Sequence, residues 1–327
     1  MCIRDSSTPV GDADLERGSA AVAEYLTHLR ADAIVRDCEA MREHLSAETW
    51  SVLGQSFGGF TTLAYLSTDS DSLADVFITG GLSTVDRHPD EVYALCYDKM
   101  RAASERYYRR FPEHRDVMRR LVDQAAAGEI VLPDGEVVSP SRLRSVGSAL
   151  GTNDGWQTVW SLLERDPASN AFRHDLMHAM PYGGRNPLYF AFHESSYASG
   201  HATRWSAERT EPQDFRDDVT LFTGEHIRRE WTETVPAFQP WRDVTLALAD
   251  FEWPRIYNEV AIAASGATGA AAVYVNDVYV PMEFSLETAR LLPGVELWVT
   301  SEHEHNGVRS GPVLTHLIDL AHGRRIR

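Results

Sequence analysis

Cysteine is scarce in this 327-residue chain, which has only Cys2, Cys38 and Cys96. An odd trio without paired or metal-ligand spacing argues against a disulfide framework or a zinc ribbon and predicts reduced thiols. Long apolar runs are also missing. No stretch of 18 apolar residues occurs and the start lacks a basic segment followed by an apolar one, so neither a membrane span nor a secretory leader is expected, and the cytoplasm is the expected compartment. Positive charge is short, with 31 Lys and Arg against 48 Asp and Glu, a formal net charge of -17. That balance argues against nucleic-acid binding, which needs basic stripes, and suits a substrate carrying positive charge. Gly80-Gly81 and Gly183-Gly184 lack the lysine and hydroxyl residue of a phosphate-binding loop. His174 and His178 stand four apart on a possible helix, but His193-Glu194 is not followed by the second histidine of a zincin motif. No metal and no cofactor is expected.

What is present is a chain 43% hydrophobic, long enough for one large domain or two smaller ones. Residues 1–16 are polar and unpatterned. From Ala31, the spacing of Ile34, Cys38, Met41 and Leu45 predicts an amphipathic helix ending near Ser46. Trp50 to Leu53 is a short apolar run suited to a buried parallel strand, Gly58 to Leu66 a helix packed on the sheet, and Asp75 to Thr79 the next strand. This βαβ rhythm stops beyond Pro89. A long amphipathic helix over Glu91 to Arg110 opens a segment rich in helices and aromatic residues, with a Pro-Asp-Gly turn at Pro133 to Gly135. Strand patterns return at Gly269 to Val275 and Val295 to Thr300, with helices expected over Ser285 to Leu292 and His316 to His322. The expected fold class is therefore α/β, a mostly parallel sheet with flanking helices. Residues 1–88 and 241–327 would form its core, and residues 89–240 an inserted, mainly helical cap.

Gly54-Gln55-Ser56-Phe57-Gly58-Gly59 matches the nucleophile elbow G-x-S-x-G between a buried strand and a helix. Small residues are needed on both sides because the serine occupies a strained turn that neighbouring backbone approaches closely. A helix starting beneath Ser56 directs its dipole and the Phe57 amide toward a developing oxyanion. Serine is a weak nucleophile near neutral pH, so an acid and then a histidine should follow it in the chain. Asp277, just past one predicted strand, and His305, just past the next, occupy those places. Spacing alone leaves His303 open as the base, since its side chain shares a face with His305 in an extended segment.

Together GQSFGG, the run Val275-Asn276-Asp277-Val278-Tyr279-Val280-Pro281 and the run Glu304-His305-Asn306-Gly307-Val308-Arg309 resemble the proline iminopeptidases, serine peptidases of the α/β-hydrolase superfamily. The likeness runs from about Ala31 to the C-terminus. It includes Leu188 to Glu194 and Phe222 to Ile227, which look like cap segments of that family. The resemblance implies Ser56 as nucleophile, Asp277 as orienting acid and His305 as base. It also implies that Glu194 and Glu225 hold the free amino terminus of a small peptide beginning with proline. A His-Gly-Gly type loop, which supplies a second oxyanion donor in the superfamily, is not found before Ala31, so the chain is expected to begin after the early strands of the sheet. Two other readings use the same residues: an esterase or lipase acting on another acyl group, or an inactive fragment lacking that loop.

Overall fold

The computed structural model describes residues 12–325. Four strands, β1 (Trp50–Gln55), β2 (Leu73–Thr79), β3 (Gly269–Tyr274) and β4 (Val295–Thr300), form one parallel sheet in the order β1-β2-β3-β4. In register, Gly54 lies beside Ile78, Ile78 beside Ala271, and Tyr274 beside Thr300. Because side chains alternate across a strand, Ala271, Val273, Val76 and Ile78 point to one face, where Leu63, Leu66 and Val35 cover them. Ala270, Ala272, Tyr274 and Phe77 point to the other, under Val313 and Leu317 of the last helix, Val313–Ala321. Every residue of β3 is buried, which explains why it reads as a continuous apolar run rather than an alternating one. Each large aliphatic side chain so covered contributes roughly 1.5–3 kcal/mol.

The insertion begins at helix Pro89–Arg110, whose entry is fixed by a reciprocal cap: His88 accepts from the Asp90 amide and Glu91 accepts from the His88 amide. Tyr107, Met118, Leu121, Phe172 and Phe222 form its core. That cluster also takes in Phe60 from the helix after β1 and Val278 to Val280 from the loop after β3, so the insertion and the sheet share one apolar interior. Packing of this kind continues past Pro240. Helix Arg242–Asp250 buries Val244 and Leu248 against Leu188, Ala198 and Trp253, and the Gly200 amide donates to the Trp253 carbonyl at 3.0 Å.

A helix at Ser19–Thr27, which the sequence pattern did not indicate, adds Val22, Ala23 and Leu26 to this cluster. Arg30, at the start of helix Ala31–His44, anchors the junction. It is buried, lies 4.7 Å over the Trp253 ring, and donates to the carbonyls of Ser195, Ala198 and Pro254. No helix among the described residues is long and apolar enough to cross a membrane. Among the described residues Cys38 and Cys96 form no disulfide, and Cys2 lies outside those residues.

Candidate active site

Three strand ends converge on one point, since Ser56 follows β1, Asp277 lies in the loop after β3, and His305 lies in the loop after β4. The C-terminal ends of parallel strands are where such sheets gather polar groups. Ser56 has φ 55° and ψ -122°, a left-handed conformation that a side-chain-bearing residue adopts at a cost on the order of 1–3 kcal/mol. Hydrogen bonds hold it there: the Ser56 amide donates to the Thr79 carbonyl at 3.0 Å, and the Gly59 amide donates to the Ser56 carbonyl at 2.8 Å. A Cβ on Gly54 would sit 2.4 Å from the Gly58 carbonyl oxygen, and one on Gly59 would sit 2.5 Å from that of Gly81. Gly58, the second glycine of the motif, has open space around it, so the crowding expected there falls on Gly59 instead.

The His305 ring bridges the other two residues, with Nε2 2.9 Å from Ser56 Oγ and Nδ1 2.7 Å from Asp277 Oδ2. Asp277 is fully buried, and its Oδ1 accepts from the Tyr279 and Val280 amides at 2.8 and 2.9 Å, which fixes the carboxylate plane. Burial acts to lower the His305 pKa, but the charge and hydrogen bond of Asp277 outweigh it and the net shift is upward. His303 is elsewhere. Its ring stands edge-on to Trp298 and Tyr274, and its Nδ1 faces the Asn153 side-chain nitrogen at 3.4 Å. Of the two histidines, the fold brings only His305 to Ser56.

A cavity of about 580 Å³ opens beside Ser56. Phe57, Tyr189, His193, Tyr197 and Glu225 line it from the helix after the elbow and from the insertion, while Val52 and Leu53 line it from β1. As first residue of its helix, Phe57 has no carbonyl one turn behind it for its amide to bond. The arrangement can pass a proton from Ser56 Oγ to a neutral imidazole and hold the resulting imidazolium against a buried carboxylate.

Residues 5–123 match the family described as alpha/beta hydrolase fold. A proline iminopeptidase of Aeromonas sobria is 35% identical over 303 residues, covering 88% of this chain and 70% of its own length. The chain belongs to the proline iminopeptidase family. A second relative, the proline iminopeptidase aneH of Aspergillus aculeatus, is 28% identical over 308 residues, covering 88% of this chain and 68% of its own. Among solved structures, an alpha/beta hydrolase enzyme from a Medee basin deep-sea metagenome library covers 90% of this chain and 73% of its own, with a TM-score of 0.37 at 10% identity.

Of the two glutamates expected at a proline iminopeptidase's substrate amine, the structure brings one into the cavity. Glu225 lines it, with Oε1 accepting from the Tyr189 hydroxyl. Glu194 is not brought there. It lies against a separate void of about 10 Å³, and its two oxygens accept from the Ser206 and Ala207 amides at 3.1 and 2.9 Å, at the start of the short helix Ser206–Arg209. Its pKa is raised to about 7 by burial, which those hydrogen bonds only partly offset. Neighbours in sequence, His193 and Glu194 thus face different spaces. His193, which sequence reasoning weighed only as part of a metal motif, lines the cavity, and the signal for that role lies in the fold alone.

The His174 and His178 pair lies on helix Asn170–Ala179, where the His178 Nδ1 bonds the His174 carbonyl at 2.7 Å. Among the described residues, Glu113, His114 and Glu164 are the group close enough together to share a metal ion. His114 is fully buried there, bonded through Nδ1 to the Tyr107 hydroxyl at 2.7 Å and through Nε2 to Glu164 at 2.8 Å, and none of the three lines the cavity.

Proposed function

We propose that the protein is a serine aminopeptidase that releases proline from the amino terminus of small peptides through an acyl-enzyme on Ser56. The observation that carries this reading is the hydrogen-bonded chain from buried Asp277 through His305 to half-buried Ser56, which opens onto a cavity whose cap wall bears the Glu225 carboxylate. In this mechanism His305 Nε2 takes the Ser56 proton as Oγ attacks the carbonyl of the first residue. The imidazolium then protonates the departing amine, and a water molecule activated by the same ring hydrolyses the ester. Asp277 holds the Nδ1 proton and so keeps Nε2 available as base. The Phe57 amide donates to the oxyanion, a contact worth roughly 2.7–4 kcal/mol to the transition state in comparable sites.

Glu225 pairs with the substrate ammonium in a poorly hydrated space, where a charge-assisted hydrogen bond is strong and directional. Such pairing counts residues from the amino end, because only a free terminus presents that charge beside the scissile carbonyl. Glu194 takes no part in that pairing, its oxygens being held by the Ser206 and Ala207 amides away from the cavity. Residues 1–88 and 241–327 make up the core in this reading, and 89–240 the cap. The cytoplasm is the compartment this reading proposes, since its reducing conditions keep cysteines such as Cys96 as thiols.

Hydrolysis of proline β-naphthylamide beside a simple ester tests the assignment. Ser56→Ala should abolish release of proline. Asp277→Asn should lower kcat by about 10³–10⁴ with KM little changed, because it disturbs the working tautomer rather than substrate contact. Ser56-dependent cleavage of the ester without release of proline would move the assignment to an esterase.

A further inference from the structure

We infer that His193 is a second acceptor for the N-terminal nitrogen of the substrate, acting beside Glu225 and setting the preference of the cavity for a secondary amine; this rests on the aminopeptidase reading above. The imidazole is buried, it lines the cavity that contains Ser56, and neither ring nitrogen has a hydrogen-bond partner among the described residues. Buried polar atoms in that state are rare and destabilising unless something pairs with them. Its Nε2 stands 3.6 Å from Glu225 Oε2, too far for a hydrogen bond between them. Glu225 Oε1 is already engaged by Tyr189, so Oε2 and the imidazole are adjacent polar groups with capacity to spare.

The pair selects its ligand by charge and by number of donors. Burial holds the His193 pKa below its ordinary value, with the Glu225 charge opposing and not overcoming it. The ring is therefore neutral and offers one lone pair. An anionic ligand would meet the Glu225 carboxylate, and a neutral donor would leave that carboxylate uncompensated. A cation with two N–H groups can give one to Oε2 and one to the ring. The ammonium of an N-terminal proline has two such hydrogens, whereas a primary ammonium has a third that needs another acceptor. The rings of Tyr182, Tyr189 and Tyr197 stand edge-on to His193, with centroids 5.4, 5.2 and 6.1 Å away, and hold the imidazole in place for this contact.

The test is steady-state hydrolysis of proline and alanine β-naphthylamides by the wild-type chain and by His193→Phe and His193→Gln. Phenylalanine keeps the shape and removes the acceptor, so KM for the proline substrate should rise about tenfold or more, as for a lost hydrogen bond to a charged group. kcat should change less, and the proline-to-alanine ratio of kcat/KM should fall. Glutamine supplies a carbonyl acceptor and should recover most of the loss. An unchanged KM in His193→Phe, or an equal loss of kcat in both variants with KM unmoved, would overturn the inference. Titrating L-prolinamide into Ser56→Ala while following the His193 ring 15N resonances reads the same contact without altering the residue. One ring nitrogen should shift on saturation, and a titration that saturates with both unmoved would also overturn it. A wild-type chain that cleaves the ester in a Ser56-dependent way but neither amide would instead defeat the aminopeptidase reading, a separate outcome from failure of the His193 contact alone.

Discussion

His305 is the residue at which burial and charge compete most directly. Its net pKa rises because Asp277 touches it, so the acid limb of kcat/KM should lie above the ordinary histidine value of 6.5, since only the neutral ring can accept the Ser56 proton. Stability runs the other way. A histidine whose folded pKa is raised contributes stabilisation that is fully present below the unfolded value near 6.5 and is lost as pH climbs through the folded value. Replacing Asp277 with Asn removes the main raising influence and leaves burial, which lowers, opposed only by the weaker effect of the Glu225 charge, so the acid limb should move down. A pH profile of kcat/KM for both proteins checks this, and a limb that stayed in place would assign the titration to another group. The same scale shows why spacing alone left His303 open and only the family resemblance pointed to His305. Two histidines two residues apart differ only in what the fold puts next to them, Asn153 for one and Ser56 for the other.

Among the elements, helix Phe57–Thr68 is closely fitted at its start. Its first turn nests against the loop after β2, with Gly59 and Gly81 in mutual backbone contact, so Gly59→Ala should destabilise by about 1–3 kcal/mol or prevent folding. Gly58→Ala should leave the melting temperature unchanged or raise it, because the added methyl meets nothing and alanine favours a helix by up to about 1 kcal/mol. Thermal denaturation of the two variants separates crowding from motif membership. Equal destabilisation would mean that the elbow responds to its sequence pattern and not to this packing. The strands themselves were legible from apolar runs bounded by glycine, with β2 starting two residues earlier than expected, at Leu73. Helix Met282–Ala289 likewise starts before Ser285, directly after Pro281. Helix Ser19–Thr27 was not legible, since its buried side, Val22, Ala23 and Leu26, takes its meaning from Trp241, Val244 and Leu248 more than 200 residues away.

For the molecule as a whole, the net charge of -17 is the dominant long-range property. A field of that sign draws a cationic peptide toward the cavity and is screened beyond about 10 Å at 0.1 M salt. The kcat/KM for proline β-naphthylamide, a net cation, should therefore fall several-fold between about 20 and 500 mM NaCl, while that for a neutral ester should change little. Parallel salt series on the two substrates test this, and equal responses would limit the acidity to a solvation role. The shared interior of insertion and sheet also bears on the site, because Val278 to Val280 pack into the insertion's core while the Tyr279 and Val280 amides hold Asp277. Packing of the insertion and the orientation of Asp277 are thus mechanically joined.

From the sequence alone came the α/β class, the insertion after the second strand, and the order serine, acid, histidine, because each is written in local pattern: apolar period, glycine punctuation and position after a strand. Tertiary structure alone decided which glutamate enters the cavity and that His193 faces it, and it brings to Ser56 the histidine that the family resemblance, though not spacing, had singled out. These depend on the directions of side chains from loops far apart in the chain, and a one-residue difference, as between His193 and Glu194, turns a group from one space into another.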